Sequence, residues 1–343
     1  MRIVPTGHWR VRAVLLVAFA LLAACERCAA DKNRVVAYTS VDQVFSEPIF
    51  RYCEQSTELS VSGVFDTEET KSTGVLNRLI AEAKHPQADI FWSGDPVRPF
   101  VLLERGLVEP YRSPAATQLP AALRAEDGSW TGFAARARVL LVNKELVPGS
   151  DTPRSIRDLV NPKWKGKTAI ANPLFGTTTM HVAALFSTWG DEKAKAFLEQ
   201  LRGNDVRIAS SNGEVKRLVA HGEIAFGLTD TDDANEALDT GAPVRVVYPD
   251  QQGGGTLVMP TVVVLMKGAP HPKLARRLID CLLSADVEAR MAASAAHMPL
   301  RPGVEVPQHV RAVQSLKPMQ VDYAEVARTM ERIQPWLREW VGL

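Results

Sequence analysis

Residues 132–142 read Gly-Phe-Ala-Ala-Arg-Ala-Arg-Val-Leu-Leu-Val, a run of mostly small and apolar residues between two turn-rich stretches. This pattern predicts one long buried strand, because an apolar run bounded by turn signals is typical of a strand covered on both faces. A second run of this kind, 256–266, follows three glycines at 253–255, which we expect to form a flexible link. The two long strands predict a chain that crosses from one lobe to another and returns.

The stretch before the first long strand alternates between strand and helix patterns. Strands are predicted at 35–38, 61–65 and 89–92, with helices at 45–54 and 75–82 between them. This order favours a parallel sheet flanked by helices. Because such sheets bind ligands beyond the carboxyl ends of their strands, we expect the polar loops after these strands to line a cleft.

The stretch after the first long strand repeats the alternation. Strands are predicted at 168–171, 206–209 and 224–228, and helices at 180–189 and 214–221. This second region would form the other lobe. The remaining predictions are a helix beginning at 156–160, a strand at 244–248, and helices at 272–283, 287–291 and 323–341.

The turn at 172–179, Asn-Pro-Leu-Phe-Gly-Thr-Thr-Thr, is the strongest single site candidate. A glycine and three hydroxyl residues at a helix start offer backbone N–H groups, hydroxyl donors and the positive end of the helix dipole to an anion. Simple capping is the alternative, although it would need only one hydroxyl. His181 follows on the same helix, and we expect it to be packed in the interior.

Charged residues mark two further places. Arg136 and Arg138 share one face of the long strand, so one can reach the cleft while the other is solvated. Asp230 ends a predicted strand and is the expected ligand contact, whereas Asp232 and Asp233 fit a solvated helix start. Clusters of carboxylate oxygens suit hard cations or ammonium groups.

The N-terminus has the pattern of an export signal. A basic stretch and a short apolar run lead to Leu22-Ala23-Ala24-Cys25, which predicts a lipoprotein signal at 1–24 and a lipid on Cys25. Residues 25–33 would form a tether. An ordinary signal peptide, or a short anchor with an incidental cysteine, is the alternative.

Charge and cysteine content limit the function classes. Lys and Arg number 40 against 39 for Asp and Glu, so a nucleic-acid partner is not indicated. Cys53 and Cys281 fall within predicted helices, where they could form a disulfide or be small buried apolar groups. With Cys25 assigned to lipid, the other three cysteines have no metal-type spacing. The sequence also lacks a Gly-x-Ser-x-Gly elbow, a phosphate-binding loop and a His-Glu-x-x-His helix, so we do not expect an enzyme.

Six segments carry a resemblance to a known family: 36–40, 77–79, 88–92, 136–139, 162–167 and 275–284. With them the chain resembles the solute-binding proteins of bacterial ABC importers, the family that includes the periplasmic ferric-ion-binding proteins. The resemblance implies an α/β, two-lobed clamshell of the type II periplasmic binding fold, each lobe a mixed sheet flanked by helices. It also implies a monomer that works with a permease and an ATPase. Lobe 1 would comprise 34–133 plus 256–343, and lobe 2 would comprise 134–255.

The ferric-binding members hold iron with a His, a Glu and two adjacent Tyr, together with an anion at a helix start. Here Asp42 replaces the His, and Gly94, beside Asp95, replaces the Glu. The Tyr pair becomes Thr229-Asp230 or Asp230-Thr231. Ferric iron or another cation with an anion remains the family default, with Asp42 and Asp230 as metal ligands. An organophosphate, a phosphonate or an amine metabolite is the alternative cargo.

The resulting prediction is a lipid-anchored periplasmic or cell-surface receptor that delivers a small polar ligand to a permease. A sensor subunit of a signalling system is one alternative, and a hydrolase that joins Ser93 or Thr177 to His181 is another. The proposed ligand-binding residues are Ser40, Asp42, Thr67, Glu68, Trp92, Ser93, Arg136, Asn172, Gly176, Thr177, Thr178, Asn212, Asp230 and Thr231.

Overall fold

The computed structural model describes residues 33–66, 73–307 and 310–342. The predicted export signal, Cys25 and the site candidates Thr67 and Glu68 lie outside the described residues. Within these ranges the strands are β1 (Arg34–Thr39), β2 (Ser60–Phe65), β3 (Ile90–Ser93), β4 (Val108–Glu109), β5 (Thr131–Asn143), β6 (Thr168–Ala171), β7 (Arg207–Ala209), β8 (Phe226–Asp230), β9 (Val244–Val247) and β10 (Val258–Met266).

Helices connect and flank these strands. They are α1 (Gln43–Thr57), α2 (Thr73–Ala81), α3 (Val97–Glu104), α4 (Gly176–Trp189), α5 (Asp191–Gly203), α6 (Asn212–Ala220), α7 (Thr231–Asp239), α8 (Pro272–Leu282), α9 (Ala285–Ala295) and α10 (Tyr323–Val341). The bounds of α10 coincide with the predicted helix, whereas the helix predicted at 156–160 is a short 3₁₀-helix. α3 and α5 have no counterpart among the predicted helices.

The strands form one mixed sheet in the order β2-β1-β3-β10-β5-β8-β6-β7, with β4 also paired to β10 and β9 to β5. β1 runs parallel to β2 and β3, and β6 runs parallel to β7 and β8. We call β1–β4 with β10 the first sheet half, and β6–β9 the second sheet half.

The predicted long strand is β5, and it belongs to both sheet halves. Residues 131–137 pair with β10, and residues 138–143 pair with β8 and β9. All of its residues are buried, which explains why the run contains so many small and apolar side chains. The register between β5 and β10 shifts at Pro260/Thr261, and Ala134 has a φ of 44°. The strand is therefore irregular near the point where it passes between the halves.

The return crossing lies just before β10. There the Arg138 N–H donates to the Leu257 carbonyl at 2.9 Å. Gly255, expected to be part of a flexible link, is tightly packed: its φ is 90°, and a Cβ at this position would lie 2.6 Å from the Pro318 carbonyl carbon. The expectation of flexibility is wrong at this glycine, because the backbone of residues 317–319 pairs with Thr256 on both sides.

A disulfide joins Cys53 on α1 to Cys281 on α8, with Cα atoms 5.8 Å apart and 228 positions between them in the sequence. Of the two alternatives that the sequence left open, the structure shows pairing. Both cysteines are buried. The bond therefore connects the two separate chain segments that build the first sheet half.

The C-terminal helix α10 packs against α3 beside the first sheet half and α4 beside the second. The Trp336 ring contacts the Phe186 ring with centroids 5.6 Å apart. Arg332 forms an ion pair with Asp191 at 2.6 Å. The last helix therefore spans both halves of the fold. No helix in the described part of the chain is both long and apolar enough to cross a bilayer.

Candidate ligand-binding site

A pocket lies where strands of the two sheet halves end. Loops that follow β1, β6, β7 and β8 form its walls, as expected for ligand sites in sheets of this kind. Proposed site residues that line it are Ser40, Arg136, Asn172, Gly176, Thr177, Asn212 and Asp230. Lining residues that the sequence analysis did not propose are Ala171, Phe175, Ser210 and Ser211. The two serines could have been found, because they precede a predicted helix in the same way as the proposed residues.

Two helices begin at this pocket. Gly176 starts α4, and Asn212 starts α6. Ser211 caps α6 by accepting a hydrogen bond from the Glu214 N–H at 3.1 Å. Gly176 has a φ of 59°, a backbone conformation that favours glycine. Because the first N–H groups of a helix have no partner inside the helix, the pocket can present donors from two helices to an anion.

Arg138 lies beneath the pocket and is fully buried. Its Nη1 donates to Asp230 Oδ1 at 2.6 Å, and also to Thr177 Oγ1 at 3.0 Å and Asn212 Oδ1 at 3.1 Å. Its Nη2 donates to Thr178 Oγ1 at 3.1 Å. One guanidinium therefore holds together the starts of α4 and α6 and the end of β8.

Arg136 lines the pocket and connects the two sheet halves. Its Nη1 lies 2.8 Å from Asp232 Oδ2 and 3.2 Å from Asp230 Oδ2. Its Nη2 donates to the Gly94 carbonyl at 2.7 Å, on the loop after β3. Burial would lower the pKa of Arg136, but Asp232 and Asp230 raise it above its ordinary value. The expectation that Arg136 or Arg138 is solvated is wrong, because buried carboxylates pair with both.

The acidic cluster at the end of β8 is buried at Asp230 and Asp232 and half-buried at Asp233. Oxygens of Asp230, Asp232 and Asp233 lie within 4.8 Å of one another. Asp232 is only 4% exposed, so the expectation of a solvated helix start is wrong for this residue. Asp42, which the sequence analysis paired with Asp230 as a metal ligand, is half-buried and is not one of the three. The guanidinium of Arg136 already compensates charge in this cluster.

Neither Gly94 nor Asp95 provides a carboxylate to the pocket. A Cβ at Gly94 would lie 3.1 Å from the Ser40 carbonyl oxygen and 3.3 Å from Arg136 Nη2, so Arg136 occupies the space beside this position. Asp95 is buried and is not among the lining residues. Its carboxylate accepts from the Arg98 N–H at 3.2 Å and pairs with Arg98 Nη1 at 3.0 Å.

Several proposed residues lie near the pocket without lining it. The Trp92 ring stacks on Phe133 in the core, with centroids 5.6 Å apart. Thr231 Oγ1 accepts from the Ala137 N–H at 3.3 Å, which ties the start of α7 to β5. Within the described ranges, the proposed residues absent from the pocket wall are Asp42, Trp92, Ser93, Thr178 and Thr231.

The pairing of Ser93 or Thr177 with His181, expected for the hydrolase alternative, is not found among the described residues. His181 is buried within α4, and burial followed by the charge of Arg138 lowers its pKa to about 3. Thr177 Oγ1 donates to Asp230 Oδ2 at 2.7 Å and accepts from Asn212 Nδ2 at 2.9 Å. The hydroxyl is therefore held by other protein groups, and no hydrogen bond joins it or Ser93 to His181 within the described ranges.

The tyrosines lie away from the pocket. All five belong to the described residues, and none lines the pocket. Tyr38 donates to Glu82 at 3.0 Å and Tyr111 donates to Asp280 at 2.9 Å. Burial, followed by these hydrogen bonds, raises the pKa of each phenol to about 12. The pocket wall accordingly has no phenolate ligand for ferric iron.

Comparison with known proteins shows which family this chain resembles. The family model for bacterial extracellular solute-binding proteins matches residues 86–326. Iron uptake protein A1 of Synechocystis is 29% identical over 259 residues, covering 73% of this chain and 72% of that protein. A Salmonella typhi protein, provisionally named a 2-aminoethylphosphonate-binding periplasmic protein, is 26% identical over 272 residues, covering 78% and 74%.

Among solved structures, iron-bound HitA from Pseudomonas aeruginosa superposes with a TM-score of 0.80 at 21% sequence identity. The match covers 90% of this chain and 99% of HitA. It establishes the type II periplasmic binding fold, in which a mixed sheet is flanked by helices. Because the family model covers more than half of the sequence, the chain belongs to the bacterial extracellular solute-binding protein family.

Proposed function

We propose that this protein is the substrate-binding component of an ABC importer, closing two lobes over a small solute and presenting it to a permease and its ATPase. Family membership and a pocket formed by loops of both sheet halves support this function. The lobes would be 34–133 plus 256–343, and 134–255, with the boundary at the irregular residue Ala134 in β5. The protein would act as a monomer. It would also act without catalysis, since Thr177 and His181 form no nucleophile–base pair among the described residues.

The observation that carries the cargo assignment is the meeting of the α4 and α6 N-termini at one pocket. Gly176, Thr177 and Asn212 line it, and Arg138 beneath holds both helix starts in place. Backbone N–H groups and the two helix dipoles favour a bound oxyanion. We therefore propose a phosphonate or phosphate ester as the cargo.

Ferric iron bound together with an anion is the second candidate, because a similar protein is named for iron uptake. Asp230 is the lining carboxylate that could hold a cation there. It is already paired with Arg136 and Arg138, which opposes an additional positive charge. The pocket wall also contains no tyrosine. For these two reasons we propose an oxyanion-bearing compound, rather than ferric iron, as the first candidate cargo.

We further propose that the mature protein is tethered to a membrane and faces the periplasm or the cell surface. Residues 1–24 would direct export, and Cys25 would carry the lipid. Metabolic labelling with a fatty-acid analogue tests the anchor: wild type should be labelled, and Cys25→Ser should not. Equal labelling of the two would contradict it.

The cargo assignment is tested with protein that lacks residues 1–25. Its melting temperature is measured with 2-aminoethylphosphonate, sugar phosphates, inorganic phosphate, ferric citrate and citrate. A ligand at 100 times its dissociation constant stabilises a protein by about 2.7 kcal/mol, so binding should raise the melting temperature clearly. Stabilisation by ferric citrate alone would overturn the phosphonate or phosphate ester assignment in favour of iron.

The substitution Ser211→Asp tests where the oxyanion binds. Asp caps a helix as well as Ser does, so α6 should remain intact while a negative charge enters the pocket. We expect this variant to lose oxyanion binding. Ser284→Asp is the matched control, because Ser284 caps α9 away from the pocket. If Ser211→Asp binds oxyanions as wild type does, the pocket is not their site.

A further inference from the structure

Arg98, in the first turn of α3, is 2% exposed and is held by a neighbouring carboxylate. Asp95 Oδ1 accepts from the Arg98 N–H at 3.2 Å, and Asp95 Oδ2 pairs with Arg98 Nη1 at 3.0 Å. Its Nε has no hydrogen-bond partner among the described residues. A buried guanidinium with this local support keeps a fixed position, because its charge is compensated where it lies.

The same guanidinium also contacts the second sheet half. Both Nη1 and Nη2 of Arg98 lie 3.4 Å from the Gly176 carbonyl oxygen. α3 follows β3 in the first sheet half, and α4 follows β6 in the second. The contact therefore joins the two sheet halves.

The Gly176 carbonyl and the Thr177 N–H belong to one peptide group. An oxyanion at the start of α4 would accept from the N–H side of this peptide, while Arg98 donates to its carbonyl side. Each interaction polarises the peptide in the same direction, and hydrogen-bonded groups in series strengthen one another.

We propose that Arg98 couples occupation of the pocket to closure of the lobes, acting through the Gly176–Thr177 peptide. It is a positioning residue: it does not line the oxyanion pocket, and it contacts the cargo only through that peptide. The inference rests on the proposed oxyanion cargo. An anion strengthens the Arg98 contact, and the contact in turn strengthens anion binding, as linkage between two events requires.

The test compares three variants of the protein lacking residues 1–25. Arg98→Lys keeps the charge but loses the paired donors. The double variant Asp95→Asn with Arg98→Gln removes the charge without leaving a buried carboxylate alone, which protects folding. Arg105→Gln is the matched control, because Arg105 ends the same helix, is half-exposed and contacts Glu331 on the surface.

Two quantities are measured with 2-aminoethylphosphonate and with inorganic phosphate. The dissociation constant comes from calorimetry, and the closed fraction at saturation comes from the distance between spin labels on the two lobes. We expect the double variant to bind about tenfold more weakly, roughly 1.4 kcal/mol, and to retain an open population at saturation. Arg98→Lys should lie between it and wild type.

Arg105→Gln should match wild type in both measurements. If the double variant closes fully at saturation, the coupling is overturned. A lower melting temperature would not rescue it, because the loss of a purely structural residue lowers stability without changing closure. If it binds and closes as the control does, the coupling is likewise overturned. If wild type binds neither probe, the proposed cargo class fails, and the coupling fails with it.

Discussion

Arg138 Nη1 lies 2.6 Å from Asp230 Oδ1, and both side chains are almost completely shielded from solvent. The two residues face each other in the antiparallel register of β5 and β8. Because both charges are shielded, each depends on its ionic partners and on the surrounding hydroxyl and amide groups. The ion pair therefore contributes to the fold and to the shape of the pocket.

Removing one member of this pair should be more harmful than removing both. Arg138→Met removes the shorter of the two ion pairs of Asp230 and leaves it only Arg136; breaking a buried pair costs about 3–5 kcal/mol. The double variant Arg138→Met with Asp230→Asn should recover part of this loss. Urea unfolding measures both changes. A single variant as stable as wild type would contradict the role given to the pair.

Two neighbouring glycines provide a matched comparison of backbone constraint. Gly255 has a φ of 90°, and a Cβ there would meet the Pro318 backbone at 2.6 Å, whereas a Cβ at Gly254 meets nothing within 4 Å. Gly255→Ala should lower the free energy of unfolding by about 1–3 kcal/mol from the strained conformation alone. Gly254→Ala should have little effect. Equal stability of the two variants would contradict the tight packing described for the return crossing.

The disulfide should contribute strongly to stability. Loss of a native disulfide typically costs about 2–5 kcal/mol, and the Cys53–Cys281 bond encloses most of the chain. Reduction of wild type by dithiothreitol should lower the denaturation midpoint to that of a Cys53→Ala, Cys281→Ala variant. The variant itself should not respond to the reductant. A wild-type midpoint that does not change on reduction would show that the bond contributes nothing.

Acid should destabilise the protein through two buried histidines. Burial, followed by the charge of Arg136, lowers the pKa of His297 to about 4, and burial lowers that of His181 to about 3, both from 6.5. As pH falls below 6.5, only the unfolded state gains these protons, so stability decreases until the folded pKa values are reached. Each histidine adds a slope of about 1.4 kcal/mol per pH unit in this window.

The substitution His297→Gln tests this pH dependence. Between pH 6.5 and about 4, the unfolding free energy of the variant should fall less steeply than that of wild type. His221→Gln, at an exposed histidine, is the control and should keep the wild-type slope. Parallel curves for wild type and His297→Gln would rule out the buried neutral imidazole as a cause.

The long strand and the C-terminal helix could be predicted because their signals are local. The residues of β5 form one apolar run, and α10 has a sustained helical pattern that ends at Gly342. The family and the fold class, predicted from short matching segments, are confirmed by the family model and by the superposition. The lobe boundaries and the binding role of each site residue stay predictions.

The charge network could not be predicted, because it depends on strand register. Arg138 faces Asp230 only after β5 has paired with β8, and Arg136 reaches Gly94 only after β5 and β3 have both paired with β10. An arginine on a strand, seen in sequence alone, has the pattern of a solvated residue. The buried position of Asp232 follows from the same contacts, since Arg136 is its partner.

The pairing of Cys53 with Cys281 has a consequence for how the molecule is made. The first sheet half takes strands from both ends of the chain, so neither its sheet nor its disulfide can be completed until residue 281 has been synthesised and has reached an oxidising environment. The strands β6–β9 come from one continuous segment, so they can pair before residue 281 has been synthesised. We therefore expect the second sheet half to form early and the first to be completed last, with the unpaired Cys53 thiol exposed to mispairing until then.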